Sequence, residues 1–105
     1  PYRPIYTSVN DSPPTTYGAN SVVENSIIAD GCVINGTVTN SVIFRGVKVE
    51  KNAVISNSVV MQDSIVGMNA TLKHIVTDKN VRIGENRTLC GHETHPFFIE
   101  KGSVI

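Results

Sequence analysis

The segments ENSIIADGCVINGTV (24–38), TNSVIFRGVKVEKNAVI (39–55), SNSVVMQDSIVGMNATL (56–72) and KHIVTDKNVRIGENRTL (73–89) can be laid under one another, and that alignment decides the fold. Their starts are separated by 15, 17 and 17 residues. Within each runs a six-residue beat that opens on an aliphatic residue, as expected of stacked repeats that cannot bury a face alone. The beat passes through Val22, Ile28 and Ile34, then Ile43, Val49 and Ile55, then Val60, Val66 and Leu72, and after a shift Ile83, Leu89, Ile99 and Ile105. The shifts fall where segments join.

Four residues after many of these aliphatics stands a small side chain: Ser26, Cys32, Ala53, Ser64, Ala70 and Ser103. One place earlier stand Asn25, Gly31, Asn52, Asn69, Asn86 and Gly102, residue types that accept a left-handed backbone at a corner. Short strands joined by tight corners follow. A helix is excluded because apolar positions do not recur at three and four and because β-branched residues and Asn dominate. An antiparallel sandwich fits less well, since its strands would alternate over longer runs between turn clusters. The chain is therefore read as all-β, a parallel β-helix of about five coils, on the order of 24 Å tall at about 4.8 Å per coil, with aliphatic ladders along its axis.

Residues 1–20 read as an extended strap and 21–105 as the β-helix, because residues 1–18 hold four of the five prolines and proline interrupts a backbone ladder. GHETHPFF (91–98) reads as a loop that breaks the beat before the last strand. Two irregularities are expected nearby: Arg87 fills a small-residue position, and the fourth segment lacks a residue near His74, so the coil should loosen there.

With nine Lys plus Arg against nine Asp plus Glu, scattered along 105 residues, no broad field for nucleic acid or an anionic membrane arises. No apolar run approaches the roughly 18 residues of a membrane span and no targeting segment is evident, so a soluble cytoplasmic protein is expected. Cys32 and Cys90 lack the clustering of a zinc site or disulfide scaffold and are read as reduced thiols.

The sixfold beat resembles the hexapeptide pattern of left-handed β-helices, and the handedness comes from that resemblance. YRPIYTSVNDSPPTTYG (2–18), leading into NSIIADGCVINGTVTNSVIFRGVKV (25–49) and VTDKNVRIG (76–84), is similar to the C-terminal domain of the glucose-1-phosphate adenylyltransferases, which make ADP-glucose for glycogen. RPIYTSVNDSPP (3–14) is closer to the GlgD type of subunit than to the catalytic GlgC type. The resemblance covers nearly the whole chain. It implies an assembly and regulatory domain without a catalytic site, with the nucleotidyltransferase site, its ATP and its Mg2+ in an N-terminal domain. It also implies three kinds of partner: that domain, other adenylyltransferase subunits, and a phosphorylated effector such as fructose 1,6-bisphosphate or 3-phosphoglycerate.

Asp78 and Lys79 match the family's Asp-Lys or Asp-Arg motif, whose basic residue contributes to effector binding; an exposed ammonium at a corner is a ready phosphate partner. The plain alternative is a solvated lysine paired with Asp78. Arg3, Arg45, Lys48 and Arg82 would add charge to such a site, although sequence alone does not bring them together. Thr16 stands where relatives place Lys in a PPxK word, and a hydroxyl does not replace that cation; Pro13 and Pro14 stiffen the link. The runner-up reading is a small hexapeptide acyltransferase using His74, His92 or His95 as base, and three histidines also raise the zinc site of a γ-type carbonic anhydrase. Their spacing supports neither, and they read as loop histidines.

Overall fold

The computed structural model describes residues 14–105, so Arg3, Pro13 and most of the expected strap lie outside the described residues. The described chain winds through three parallel sheets of five strands each, the architecture of a left-handed parallel β-helix. Face one stacks Thr16–Tyr17, Val33–Ile34, Lys48–Val49, Ile65–Val66 and Arg82–Ile83. Face two stacks Val22–Glu24, Thr37–Thr39, Val54–Ser56, Thr71–Lys73 and Thr88–Cys90. Face three stacks Ile27–Ile28, Val42–Ile43, Val59–Val60, Ile75–Thr77 and Phe97–Ile99. Thr16 and Tyr17, inside the stretch read as a strap, pair in register with Val33 and Ile34.

Strand residues turned inward fill the core: Ile34, Val49, Val66 and Ile83 under face one, Val38, Ile55 and Leu72 under face two, Ile43, Val60 and Ile99 under face three. Cys32, Val47, Ala53, Ala70, Ile75 and Val81 join them at the corners, while Thr16 and Tyr17 at the open end stay exposed. Three corrections to the expected beat follow. Val23, not Val22, packs against the core, and Val22 stays 44% exposed. Val38, which the beat passes over, is fully buried, and Thr77 takes the inward place above Val60.

Corner length explains the offsets. From face three to face one the inward residues are six apart, whereas from face two to face three the steps Val23 to Ile28, Val38 to Ile43, Ile55 to Val60 and Leu72 to Thr77 are all five. The short corner closes on one left-handed residue, Asn25, Asn40, Asn57 or His74, and then a serine in the first three coils. Each serine hydroxyl joins two coils. Ser41 Oγ donates to Thr39 O (2.7 Å) and accepts from Ser58 N (3.1 Å), and Ser58 Oγ donates to Ser56 O (2.8 Å) and accepts from Ile75 N (3.1 Å). The 15-residue coil arises at Gly36, where a Cβ would collide with the Ala53 carbonyl oxygen and the corner shortens.

The expected loosening near His74 does not occur. His74 has φ 56, its N–H donates to Ser56 O at 3.2 Å, and Lys73, Val76 and Thr77 stay in register with Ser56, Val59 and Val60. His74 occupies the place of Asn57 and Ile75 that of Ser58, so no residue is missing. Arg87 keeps the corner too: its carbonyl accepts from Thr71 N (2.7 Å) while its side chain is exposed. The expected loop is shorter than 91–98, because Phe97 and Phe98 join the strand Phe97–Ile99. All six residues expected to be left-handed are so, joined by Asn40, Asn57, Asp63, His74, Asn80 and Gly46.

Candidate functional site

The edge between faces three and one carries the cations that sequence alone leaves apart. Its turns stack through backbone bonds: Gly46 N to Asp30 O (3.3 Å), Asp63 N to Arg45 O (3.0 Å), Asn80 N to Gln62 O (3.1 Å) and Gly102 N to Lys79 O (3.1 Å). Asp30, Arg45, Gln62, Lys79 and Lys101 therefore form one column. At about 4.8 Å per coil, Arg45 stands roughly 10 Å from Lys79 and Lys101 one coil beyond it, backbone to backbone. Around the bend on face one, Lys48, Ile65 and Arg82 share a register, so Lys48 and Arg82 flank Arg45 and Lys79.

Asp78 does more than face its neighbour. Its Oδ1 accepts the Lys79 N–H at 2.7 Å, which holds the turn in shape, and its own N–H donates to Ile99 O (2.9 Å). Beneath, the buried Ser64 Oγ donates to Asp78 O (3.2 Å) and accepts from Val81 N (3.2 Å), so the Lys79 corner rests on a bonded base. Lys79, Arg45, Lys48, Arg82 and Lys101 are exposed. Asp30, Asp63, Asp78 and Glu100 lie on the same turns, and the Asp63 carboxylate sits against Gly46. Five cations against four carboxylates give no strong local field, so an anion would be held by contact and not drawn by long-range attraction.

Shallow grooves also indent the surface among the described residues, one of them reaching Arg82 of this edge. One of about 440 Å3 is lined by Asn25, Ser26, Ile27, Asn40, Ser41 and Val42, one of about 300 Å3 by Gly18 to Asn20, Asn35, Glu50 and Lys51, and one of about 360 Å3 by residues that include Met68, Arg82 and Glu85. None is lined by Arg45, Asp78 or Lys79.

The histidines are not brought together as a base or metal set. His74 is a corner residue whose carbonyl accepts from Phe97 N (3.0 Å). His92 and His95 close a small turn through reciprocal backbone bonds of 3.1 and 3.0 Å, and the His92 ring contacts Thr94 Oγ1 at 3.1 Å. Among the described residues no group of three or more His, Cys, Asp or Glu is placed to hold a metal, and no helix is long and apolar enough to cross a membrane. Cys32 is buried with its thiol 3.1 Å from Phe44 O, and Cys90 is exposed. Thr16 is an exposed residue of the first strand.

Lys101 and Gln62 complete the column without a sequence signal of their own. Lys101 is the turn residue one coil after Lys79, but the loop inserted at 91–96 breaks the six-residue count that would align them. Gln62 is uncharged, so its residue type gives no sign of its place on this edge.

Comparison with known proteins bears on the whole chain. The profile of the GlmU-like, C-terminal hexapeptide family matches residues 13–96. Glycogen biosynthesis protein GlgD of Geobacillus stearothermophilus is 64% identical over 104 residues, 99% of this chain and 30% of that protein. Its namesake in Bacillus subtilis (strain 168) is 51% identical over 51 residues, 49% of this chain and 15% of that protein. A glucose-1-phosphate adenylyltransferase of Clostridium beijerinckii is 42% identical over 48 residues, 45% of this chain and 12% of that protein. The chain thus spans less than a third of the length of each of these relatives.

Proposed function

The chain belongs to the GlmU-like, C-terminal hexapeptide family, and from that premise we propose that it is the assembly and regulatory module of a GlgD-type glucose-1-phosphate adenylyltransferase subunit in cytoplasmic glycogen biosynthesis. The observation that carries this reading is the 64% identity to a glycogen biosynthesis protein GlgD over nearly every residue of the chain. The module itself catalyses nothing. Nucleotidyl transfer, with ATP and Mg2+, belongs to an N-terminal domain of the parent subunit, and GlgC-type subunits are its partners in the oligomer.

The regulatory part of the reading rests on the cationic edge. Lys79 is the central contact, positioned by the Asp78 carboxylate on its backbone N–H. Arg45 and Lys101 stand on the same column and Arg82 beside it. Ammonium and guanidinium groups at roughly 5–10 Å spacing match a sugar carrying two phosphates better than one carrying a single phosphate, because each phosphate then meets its own cation.

The test is titration of the chain with fructose 1,6-bisphosphate and, separately, fructose 6-phosphate, followed by backbone amide NMR. Shifts confined to the turns around Arg45, Lys79 and Lys101, weakened by Lys79→Ala and stronger for the bisphosphate, are expected. Unchanged turns, or equal shifts in the Lys79→Ala chain, would remove the effector role.

A further inference from the structure

The corner from face one to face two spans four residues at 18–21, 50–53, 67–70 and 84–87, and only two, 35–36, in the second coil. The longer corners stack on one another, Asn69 N donating to Lys51 O (3.1 Å) and Asn86 N to Met68 O (2.9 Å). Where the second coil lacks two residues a notch of about 300 Å3 opens, lined by Gly18 to Asn20 from one coil, Glu50 and Lys51 from another, and Asn35 between them.

Asn35–Gly36 is the one Asn-Gly step in the chain. The fold fixes its glycine, because a Cβ there would collide with the Ala53 carbonyl oxygen. The amide of that glycine also stands apart. The N–H that follows Asn20, Asn40, Asn52, Asn57, Asn69 or Asn80 is hydrogen-bonded at 3.0–3.2 Å in every case. Among the described residues the Gly36 N–H has no acceptor, and the same holds only for Ser26 and Arg87 of the N–H groups that follow an asparagine, both of which carry side chains.

We propose that Asn35 is a site of spontaneous covalent modification, at which the Gly36 amide nitrogen closes on the Asn35 carboxamide and converts it to aspartate and isoaspartate. In the first step Gly36 N attacks Asn35 Cγ. The new C–N bond completes a five-membered imide, and the carboxamide nitrogen leaves as ammonia with the proton that Gly36 N gives up. Water then adds to one of the two imide carbonyls and the bond from that carbonyl to nitrogen breaks, giving aspartate by one route and isoaspartate by the other. One water is consumed and one ammonia released.

Three features select this corner. Glycine sets no side chain against the approaching carboxamide. The N–H that is consumed has no hydrogen bond to lose, whereas ring closure at Asn52 or Asn69 would break one. The notch gives the carboxamide room to turn and lets water reach the imide.

The products change the coil. Asn35 and Glu50 follow the paired residues Ile34 and Val49, so aspartate at 35 stands one coil, about 4.8 Å, from Glu50 and sets two carboxylates side by side. Isoaspartate also adds a methylene to the backbone of the 15-residue coil, against the register of Thr37 with Val54 and Val38 with Ile55. The corner therefore ages in one direction.

The test incubates the complete subunit in mildly alkaline buffer, folded in one arm and unfolded by urea in the other, and follows each asparagine by peptide mapping and fragment mass spectra. Folded, Asn35 is expected to convert at least roughly tenfold faster than Asn69, whose following N–H is bonded, and than Asn25 and Asn86, whose following residues carry side chains. Its folded rate should lie within about tenfold of its rate in urea, because the fold adds no bond that must break first. Mildly acidic buffer should slow it, since fewer amide nitrogens then give up a proton. Folded Asn35 that converts more than tenfold slower than in urea, or that fails to outrun Asn86 by tenfold, overturns the proposal. Amide protection at residues 37–39 should fall as isoaspartate accumulates, and protection kept after full conversion overturns the change of register.

Discussion

Replacing Ser58 by alanine tests whether the serine column carries the short corners or merely fits them. Ser58 is 3% exposed, and its hydroxyl donates to Ser56 O at 2.8 Å and accepts the Ile75 N–H at 3.1 Å. The Ser56 carbonyl keeps a second partner in His74 N at 3.2 Å, so its loss is small. Ile75 is fully buried, and the substitution leaves its N–H without that acceptor in a volume a water would have to be squeezed into. An unpaired buried donor costs about 1–3 kcal/mol, which sets the expected loss near 2 kcal/mol. For a domain of this size that corresponds to a Tm lower by roughly 8–16 °C. The assay is thermal and urea unfolding by circular dichroism, with hydrogen exchange at the Ile75 amide as the local readout. Ser26→Ala serves as comparison, because Ser26 lies half-exposed on the first coil, where its loss at Ser41 N should cost less. A Ser58→Ala chain within about 0.3 kcal/mol of wild type, with Ile75 exchange unchanged, would refute the reasoning, since the net worth of even an ordinary hydrogen bond is about 1 kcal/mol.

Leu72 lies fully buried mid-stack, and Leu72→Ala is expected to destabilise by about 2–5 kcal/mol, measured by urea denaturation. At Asn69, with φ 61, alanine should cost about 1–2 kcal/mol and glycine much less, a contrast that thermal melts of the two variants resolve. Gly36→Ala should prevent folding of the 15-residue coil, seen as loss of amide protection in residues 33–43, because its Cβ meets backbone and not a movable side chain. Lys101→Ala should weaken fructose 1,6-bisphosphate binding about three- to tenfold, while Lys51→Ala, on another edge, should leave it unchanged; isothermal calorimetry reads both.

The sixfold beat made the fold legible because each coil repeats one demand, an aliphatic inside and a corner residue able to turn left. Ile34, Val49, Ile55, Val60, Val66 and Leu72 all lie in the core where the beat puts them. The beat failed where corner length changed. Val22 and Val23 are equally apolar, so only the five-residue step through Asn25 and Ser26 decides which one turns inward, and Val38 falls off the beat because Gly36 shortens its coil. His74 looked like a gap because a histidine stands in a column of asparagines, although the left-handed backbone it adopts is the same. The candidate edge was legible residue by residue in Arg45, Asp78 and Lys79, but their common column is set by stacking across 15- and 17-residue steps, which a linear search for charge clusters does not follow.

The central claim, that this β-helix assembles and regulates an adenylyltransferase, is tested most directly by ADP-glucose formation. The complete GlgD-type subunit carrying this module is combined with its catalytic GlgC-type partner and compared with the same subunit lacking residues 14–105, across a fructose 1,6-bisphosphate titration with the oligomer mass measured in parallel. Removal of the module is predicted to lower the oligomer mass and flatten the effector response. Unchanged mass and an unchanged response would contradict the account.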